Sequence, residues 1–414
     1  MQTICNISGR IGDGMEKVLI IGGGASGMAA AIRAAEDPAR RITLLERQAR
    51  VGRKLSATGN GRCNLTNLEA EPRCYHGEDP AFTAPVLAAW PPRRVLEFFA
   101  GLGLKTVTEY GGRVFPMSGH AGSVLDVLRL GLEKPNITVV TGCTVDAVRR
   151  SGAGFSVSAG DQSFAADRLI LACGGCAGAK LGGVMDGYAL AASLGHSRTA
   201  LYPALTPMRT EPDYPRALKG IRVNALVRLI QGNRILAEAE GDVIFTDTGL
   251  SGTAVFALSR FAAGQRDLTA ELCLFEESGE TLFADLSARR SRWSKLEANR
   301  ILTGAVQPRL GQMLCRYAGI GGGVAAETLT DAQLRTLAGA MRSFRLPVTG
   351  VSGFEAAQVT AGGLRTSEFD PVTLGSRIVP GLYACGELLD VDGDCGGYNL
   401  QWAWASGLRA GELR

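Results

Sequence analysis

Gly22, Gly24 and Gly27 stand in the spacing G-x-G-x-x-G, directly after the apolar run Lys17–Ile21 and directly before the helix-forming stretch MAAAIRAA. Glycines so placed let a strand turn at once into a helix and aim bare backbone N–H groups at an anion. The first permits the tight turn, the second lets a diphosphate touch backbone, and the third brings helix against strand. The helix N-terminus adds a positive end. A glycine pattern alone is a weak signal, but its context is specific. RITLL (Arg41–Leu45) reads as a second buried strand ending in Glu46, 46 − 22 = 24 positions after the first glycine, where a carboxylate holds ribose hydroxyls. That carboxylate disfavours a 2′-phosphate, which leaves FAD and NAD ahead of NADP.

The stretch GRKLSATGNGRCNLTN (Gly52–Asn67) separates the two. An NAD dehydrogenase of this type continues into plain alternation of helix and strand. Here Arg53 and Lys54 can offset diphosphate charge, while Thr58, Asn60, Arg62 and Asn64 offer donors and acceptors to a polar ring edge. The glycines let the backbone lie flat against a flavin. A solvated surface loop would not need Arg62 and Cys63 wedged between Gly61 and Asn64.

The elements that must position these residues follow from the whole chain. At 414 residues it exceeds one ordinary core, so two domains are expected, possession of a further inserted subdomain being compatible with the length. With 46% hydrophobic and 20% charged residues it is compact rather than disordered. The 55 glycines are about twice the average share and point to tight turns and close backbone approaches. A net charge of +4 without a Lys/Arg block gives no reason to expect nucleic acid as a partner. No apolar run is of membrane-spanning length, and MQTICNISGRIGDG lacks the basic start and apolar core of a signal peptide. A cytoplasmic protein is expected, its ten Cys scattered as reduced thiols. Residues 1–14 read as an extension ahead of the first strand.

RLILACGG (Arg168–Gly175) reads as another buried strand and turn. GLYACGE (Gly381–Glu387) reads as a strand ending in a small-residue turn, with Glu387 at its end. DVDGDCGGYNLQWAWASG then opens a helix whose first amides come from Gly396, Gly397 and Tyr398. That positive end suits the N1/C2=O edge of a flavin or a second phosphate. The two ends of the chain would thus share one sheet. Between them, residues 196 to about 275 alternate in short segments with a hairpin turn at Gln231–Asn233. The pattern then turns helical through TDAQLRTLAGAMRSF, capped by Thr330 with Leu334, Leu337 and Met341 on one face, and β character returns at RLPVTGVSGFEAAQVT.

The chain resembles a known family, the BaiN/YhiN-like flavoproteins of the two-dinucleotide-binding-domain group. SATGNGRCNLTN is similar to its signature loop almost residue for residue. GRVFPMSGHAGSVLDVL, EGDVIFTDTGLSG and the long stretch Ala357–Gly407 match as well, and the likeness covers essentially everything after Met15. The resemblance implies an α/β fold: a discontinuous Rossmann-like FAD-binding domain over 15–195 and 355–414, a β-barrel-like insert over 196–280 and 340–354, and a small helical bundle over 281–339. The insert would cover the flavin and shape a substrate cleft. FAD contacts are implied at Gly22, Gly24, Ala25, Ser26 and Gly27, then at Glu46 and Arg47. The signature loop adds Arg53, Lys54, Leu55, Thr58, Gly59, Asn60, Gly61, Arg62, Cys63 and Asn64. Val145, in a TGCTVDAV strand, holds the position that touches the adenine side, and Ala172, Gly174 and Gly175 form the A-x-G-G turn. Gly386 and Glu387 lie near the ribityl chain, followed by Gly396, Gly397, Tyr398, Asn399 and Leu400 at the last helix. The loop CAGAKLGGVMDGYALAASLGH departs from that family in lacking its usual proline.

Only one dinucleotide fingerprint exists, so NADH or NADPH would visit the cleft transiently as electron donor. The implied activity is FAD-dependent reduction of a C=C bond conjugated to a ketone in a bile-acid-like or steroid-like small molecule. Other members carry an aminoacetone oxidase label, and a tRNA-associated or non-catalytic flavoprotein stands as a further alternative. Cys173 and Cys176 form a C-x-x-C, read as packing rather than a redox pair. His76, His120 and His196 lack ligand spacing, so no metal site is expected, and His196 reads as structural. Cys63 reads as a polarizable filler inside the loop. Tyr398 and Arg62 are the preferred candidates for contact with reacting groups, Asp392 and Asp394 cap the helix, and the catalytic acid and base stay unassigned.

Overall fold

The computed structural model describes residues 14–414, so all but the last residue of the expected N-terminal extension lies outside the described residues. The chain forms two compact units, one running to Leu201 and resuming at Gly362–Arg414, the other Tyr202–Ala361. The first unit is built on a five-stranded parallel sheet in the order Leu382–Ala384, Arg168–Leu171, Glu16–Ile21, Arg40–Glu46, Ile137–Thr141. Val18, Leu19 and Ile20 are at most 2% exposed. Burial on both faces is why these strands read as unbroken apolar runs. Glu16–Ile21 pairs with the strand after it on one side and with Arg168–Leu171 on the other. The order therefore reverses at the first strand, the place where open α/β sheets bind ligands beyond their C-terminal ends.

Helix Ala25–Ala34 lies against the C-terminal helix Tyr398–Ala410, and the approach is close: a Cβ on Gly407 would sit 2.3 Å from the Ser26 carbonyl oxygen. A small antiparallel sheet of Thr66–Asn67, Arg113–Pro116 and Thr106–Thr108 carries the end of the glycine-rich loop. Two local expectations differ from the structure. Val145 is not in a strand; it sits in the irregular segment before Ala147–Ser151, because Gly142 takes a positive φ of 66° and the chain leaves the sheet there. Glu387 is not at a strand end either: the strand stops at Ala384, and Glu387 lies in a single 3-10 turn, Gly386–Leu388.

The second unit contains a closed six-stranded barrel, in the order Met208–Thr210, Gly249–Ser251, Arg234–Phe245, Arg222–Gln231, Leu268–Cys273, Phe344–Val351. Val227, Leu229, Phe245, Leu272 and Phe344 are at most 1% exposed and fill its core. The two longest strands meet at Gly232–Asn233. Helices Gly279–Arg292, Pro308–Tyr317 and Asp331–Arg342 complete the unit. Thr330 and Gln333 form a reciprocal capping box, and Leu334, Leu337 and Met341 are buried along one face. Arg289 and Arg290 pair with Asp285 and Asp331. Among the described residues no helix is long and apolar enough to cross a membrane.

The segment 196–201, placed with the insert on sequence grounds, groups with the first unit, while 355–361 groups with the second. A buried network holds the former. His196 Nδ1 lies 2.8 Å from Glu368, its Nε2 lies 2.9 Å from Ser376 Oγ, and its ring stacks on Phe369 at 4.5 Å. Ser197 donates to the same carboxylate through its amide and its hydroxyl. Burial works to raise the Glu368 pKa, but the Ser197 donors and His196 outweigh it and hold the group below its ordinary value. A depressed carboxylate contributes stability above its unfolded pKa, about 4.3, that is lost as pH falls through the lower folded value. Thermal midpoints of Glu368→Gln are therefore expected to fall less steeply than wild type between about pH 5 and pH 3. Parallel curves would remove this role.

Candidate functional site

The turn after the first strand gives its three glycines three different reasons. A Cβ on Gly22, at φ +111°, would lie 2.4 Å from the Ala172 carbonyl oxygen, and one on Gly27 would lie 1.8 Å from the Gly22 oxygen. Gly24 has nothing within 4 Å of its missing Cβ, so the chain is open there. Gly24 is also the N-cap of helix Ala25–Ala34 and supplies no side-chain cap. The first N–H groups of Ala25, Ser26 and Gly27 are left for an anion. Gly397, at φ +103°, caps the C-terminal helix in the same bare way, with Tyr398, Asn399 and Leu400 forming its first turn. The Asn399 side chain ties that turn back, accepting from Gly393 N at 2.8 Å and donating to Gly393 O at 2.7 Å.

Glu46 ends the second strand with both oxygens engaged: Oε2 accepts from Gly23 N at 2.8 Å and Oε1 from Gln48 N at 2.7 Å. It thus fixes the glycine turn as well as standing where ribose hydroxyls would reach it. Glu46→Gln is expected to lower the FAD retained through purification, read from the visible spectrum against protein absorbance; unchanged content would remove Glu46 from the ribose contact. Cys143 N donates to Glu46 O at 3.0 Å, two residues before Val145. Arg47 reaches Gly182 O at 3.3 Å.

The loop Gly52–Asn67 is ordered by its own contacts. Leu55 is buried, Thr58 Oγ1 donates to Leu55 O, and Cys63 N returns to Thr58 O at 2.9 Å. Gly59, Asn60, Gly61 and Cys63 all have positive φ, and for Asn60 and Cys63 that is a strained choice. Burial pushes the Cys63 thiol up to about 12, partly offset by Thr58, so it is a neutral packing group. Most of the loop's cations are committed. Arg53 donates to Gln48 at 2.7 Å and Lys54 pairs with Glu387 at 2.7 Å. Arg62 pairs with Glu109 at 2.5 Å and lies over the Phe115 ring at 4.2 Å. Cys173 donates to Ile21 O and Cys176 contacts Met185, and burial raises both thiols. Gly174, at φ +71°, and Gly175 follow Ala172 beside Gly22.

Two buried acceptor-capable atoms lack partners here: Asn64 Oδ1 and the Tyr188 hydroxyl. Asn64 Oδ1 would lie 2.8 Å from a Cβ on Gly397, so it faces the bare helix end. A buried amide oxygen left unpaired costs about 1–3 kcal/mol and calls for an N–H donor. The N3–H of an isoalloxazine ring is such a donor, and its electron-rich N1/C2=O edge suits the N–H groups at the same helix end. The residues present therefore fit FAD: a bare helix start for diphosphate, a carboxylate for ribose, and an acceptor with a second helix start for the ring. Sequence reasoning missed Tyr188, whose isolation is visible only in three dimensions, and Arg113, which begins the strand beside this helix end.

Fold and sequence together define the class: an α/β protein of the Rossmann type whose parallel sheet is assembled from both ends of the chain, with an inserted six-stranded barrel. The chain belongs to the family described as HI0933-like protein Rossmann domain, which it matches over residues 16–413. It is similar to a 3-dehydro-bile acid delta(4,6)-reductase of Clostridium scindens, 41% identical over 403 residues, covering 96% of this chain and 98% of that protein. It is also similar to a ribosomal RNA dihydrouridine synthase of Escherichia coli, 29% identical over 391 residues, with 94% and 95% covered. A dihydrouridine synthase of the same description from Haemophilus influenzae is 26% identical over 394 residues, with 94% and 96% covered.

Proposed function

We propose that this chain is an FAD-dependent oxidoreductase that takes electrons from NADH or NADPH and reduces a C=C bond conjugated to a ketone in a hydrophobic ring substrate of bile-acid or steroid type. The observation that carries the reading is the 41% identity to the bile acid reductase, maintained across 96% of this chain. The unpaired Asn64 oxygen and the two uncapped helix starts support the flavin.

When bound, FAD supplies two-electron chemistry through its ring. The chain's part is to bind and orient. Amides at Ala25–Gly27 take the diphosphate, Glu46 takes ribose hydroxyls, and Asn64 with the Gly397–Tyr398 end fixes the ring edge. Lys54 and Glu387 neutralise one another beside this path. The Tyr398 phenol is pushed up to about 12, chiefly by burial and then by Cys74, Glu69 and Asp394, so it stays protonated at neutral pH.

A second reading is favoured by the two ribosomal RNA dihydrouridine synthases. Uridine too carries a C=C bond conjugated to a carbonyl, so a uracil ring in RNA is the alternative acceptor. One experiment separates them. The purified protein is reduced anaerobically with NADH or NADPH, and return of flavin absorbance is followed after adding a 3-keto-4-ene steroid or a uridine-containing ribosomal RNA transcript. Reoxidation by the steroid supports the first reading and reoxidation by RNA alone replaces it. A yellow protein that neither acceptor reoxidises is no reductase of this class.

A further inference from the structure

We propose that Arg113 binds the carbonyl oxygen of the acceptor, an assignment that rests on the reaction proposed above. Reduction of an enone delivers a hydride equivalent to the β-carbon. The π pair of the C=C bond then moves toward the carbonyl carbon, and the carbonyl pair moves onto oxygen as an enolate. One proton from solvent added at the α-carbon takes up the enolate electron pair and restores the carbonyl, while the nicotinamide that supplied the hydride equivalent becomes NAD(P)+. Negative charge thus develops on one oxygen, and a cation next to it lowers the barrier.

The cations near the candidate ring site are not equivalent. Arg62, the choice on sequence grounds, is spent on Glu109 and Phe115, and Lys54 on Glu387. Arg113 has neither a side-chain hydrogen bond nor an ion pair within 4 Å among the described residues, and it is exposed. Its place is nonetheless well defined. It opens the strand Arg113–Pro116 and pairs with Asn67. Asn67 Nδ2 in turn donates to Gly111 O and Gly396 O, both at 3.0 Å. Arg113 Nε lies 3.6 Å from the position of a Cβ on Gly396. The guanidinium therefore stands where the glycine-rich loop and the start of the C-terminal helix converge. The groups that face it are the Cys395 thiol and the Tyr398 phenol, whose ionised forms it favours, and Glu109, which it shares at longer range with Arg62. Burial keeps the Cys395 thiol protonated, so this neighbour leaves the cation uncompensated. A guanidinium beside a planar carbonyl also presents a donor fork that a lysine lacks.

The test splits the reaction into halves with wild type, Arg113→Met and Arg113→Lys. Because the Arg113 side chain makes no hydrogen bond or ion pair among the described residues, and its backbone pairing with Asn67 and Glu109 survives substitution, FAD content and the rate of anaerobic bleaching by the nicotinamide are expected to match wild type in all three. Reoxidation by the enone is expected to slow about 10²- to 10³-fold in Arg113→Met, with partial recovery in Arg113→Lys. The saturated ketone, which cannot be reduced, is expected to shift the oxidised flavin spectrum of wild type and to need a higher concentration with Arg113→Met. Reoxidation of Arg113→Met at the wild-type rate, with unchanged ketone binding, overturns this assignment and leaves the reaction standing. Wild-type flavin that no enone reoxidises overturns the reaction, and this assignment with it.

Discussion

Gly24→Asp is expected to give a folded, colourless protein. At φ −78° and ψ −168° Gly24 has a backbone that any residue adopts, and its missing Cβ meets nothing within 4 Å. The aspartate would even supply the side-chain cap that the helix lacks, so the cofactor-free protein should be as stable as wild type or a few tenths of a kcal/mol more stable. The same carboxylate would occupy the place of the diphosphate, and juxtaposing like charges costs several kcal/mol, at least about 100-fold in affinity. Far-UV dichroism and urea unfolding test the first half, and FAD titration the second. Gly27→Ala is the control. Its Cβ would lie 1.8 Å from the Gly22 oxygen, so fold and cofactor should be lost together. A yellow Gly24→Asp protein would mean that the diphosphate does not lie on this turn.

Trp404 carries a large expected effect on both stability and cofactor binding. It is 0% exposed, meets Phe99 edge to face at 5.0 Å, and donates from Nε1 to Leu65 O at 2.9 Å. That bond ties the C-terminal helix to the end of the glycine-rich loop. Truncation to alanine should cost about 3–5 kcal/mol in a fully buried site. Trp404→Phe keeps most of the apolar contact but strands the Leu65 carbonyl, a penalty of about 1–3 kcal/mol. Because the stranded carbonyl belongs to the loop that carries Asn64, Trp404→Phe should also weaken FAD binding. A conservative substitution that changed neither urea midpoint nor FAD affinity would show the tie to be dispensable.

The features legible in the sequence were those whose cause is local. The glycine turn, the buried run Lys17–Ile21 and the carboxylate of Glu46 lie within one βαβ unit, where spacing alone encodes contact. The barrel strands announced themselves through alternation and the Gly232–Asn233 turn, and Thr330 through its capping pattern. What escaped depends on partners far away along the chain. His196 meets Glu368 and Ser376, separated from it by 172 and 180 positions. Arg62 and Arg113 are both isolated arginines in sequence, and only folding shows that the Glu109 carboxylate pairs directly with the first and acts on the second only at longer range. Val145 lies outside a strand for a smaller reason: an apolar residue in an alternating stretch reads as strand, but Gly142 turns the chain out of the sheet just before it.

The edge position of Leu382–Ala384 in the parallel sheet has a consequence for biogenesis. Its neighbour Arg168–Leu171 is synthesised roughly two hundred residues earlier, at a distance set by the whole inserted unit. During translation that strand waits with one edge unpaired and without the C-terminal helix over it, while the barrel, continuous in sequence, can close first. A nascent chain cannot avoid this interval, whereas a chain diluted from denaturant can pair the two strands in either order. Protection of the Arg168–Leu171 edge by a ribosome-associated chaperone should therefore matter more to yield in the cell than the refolding rate in a cuvette suggests.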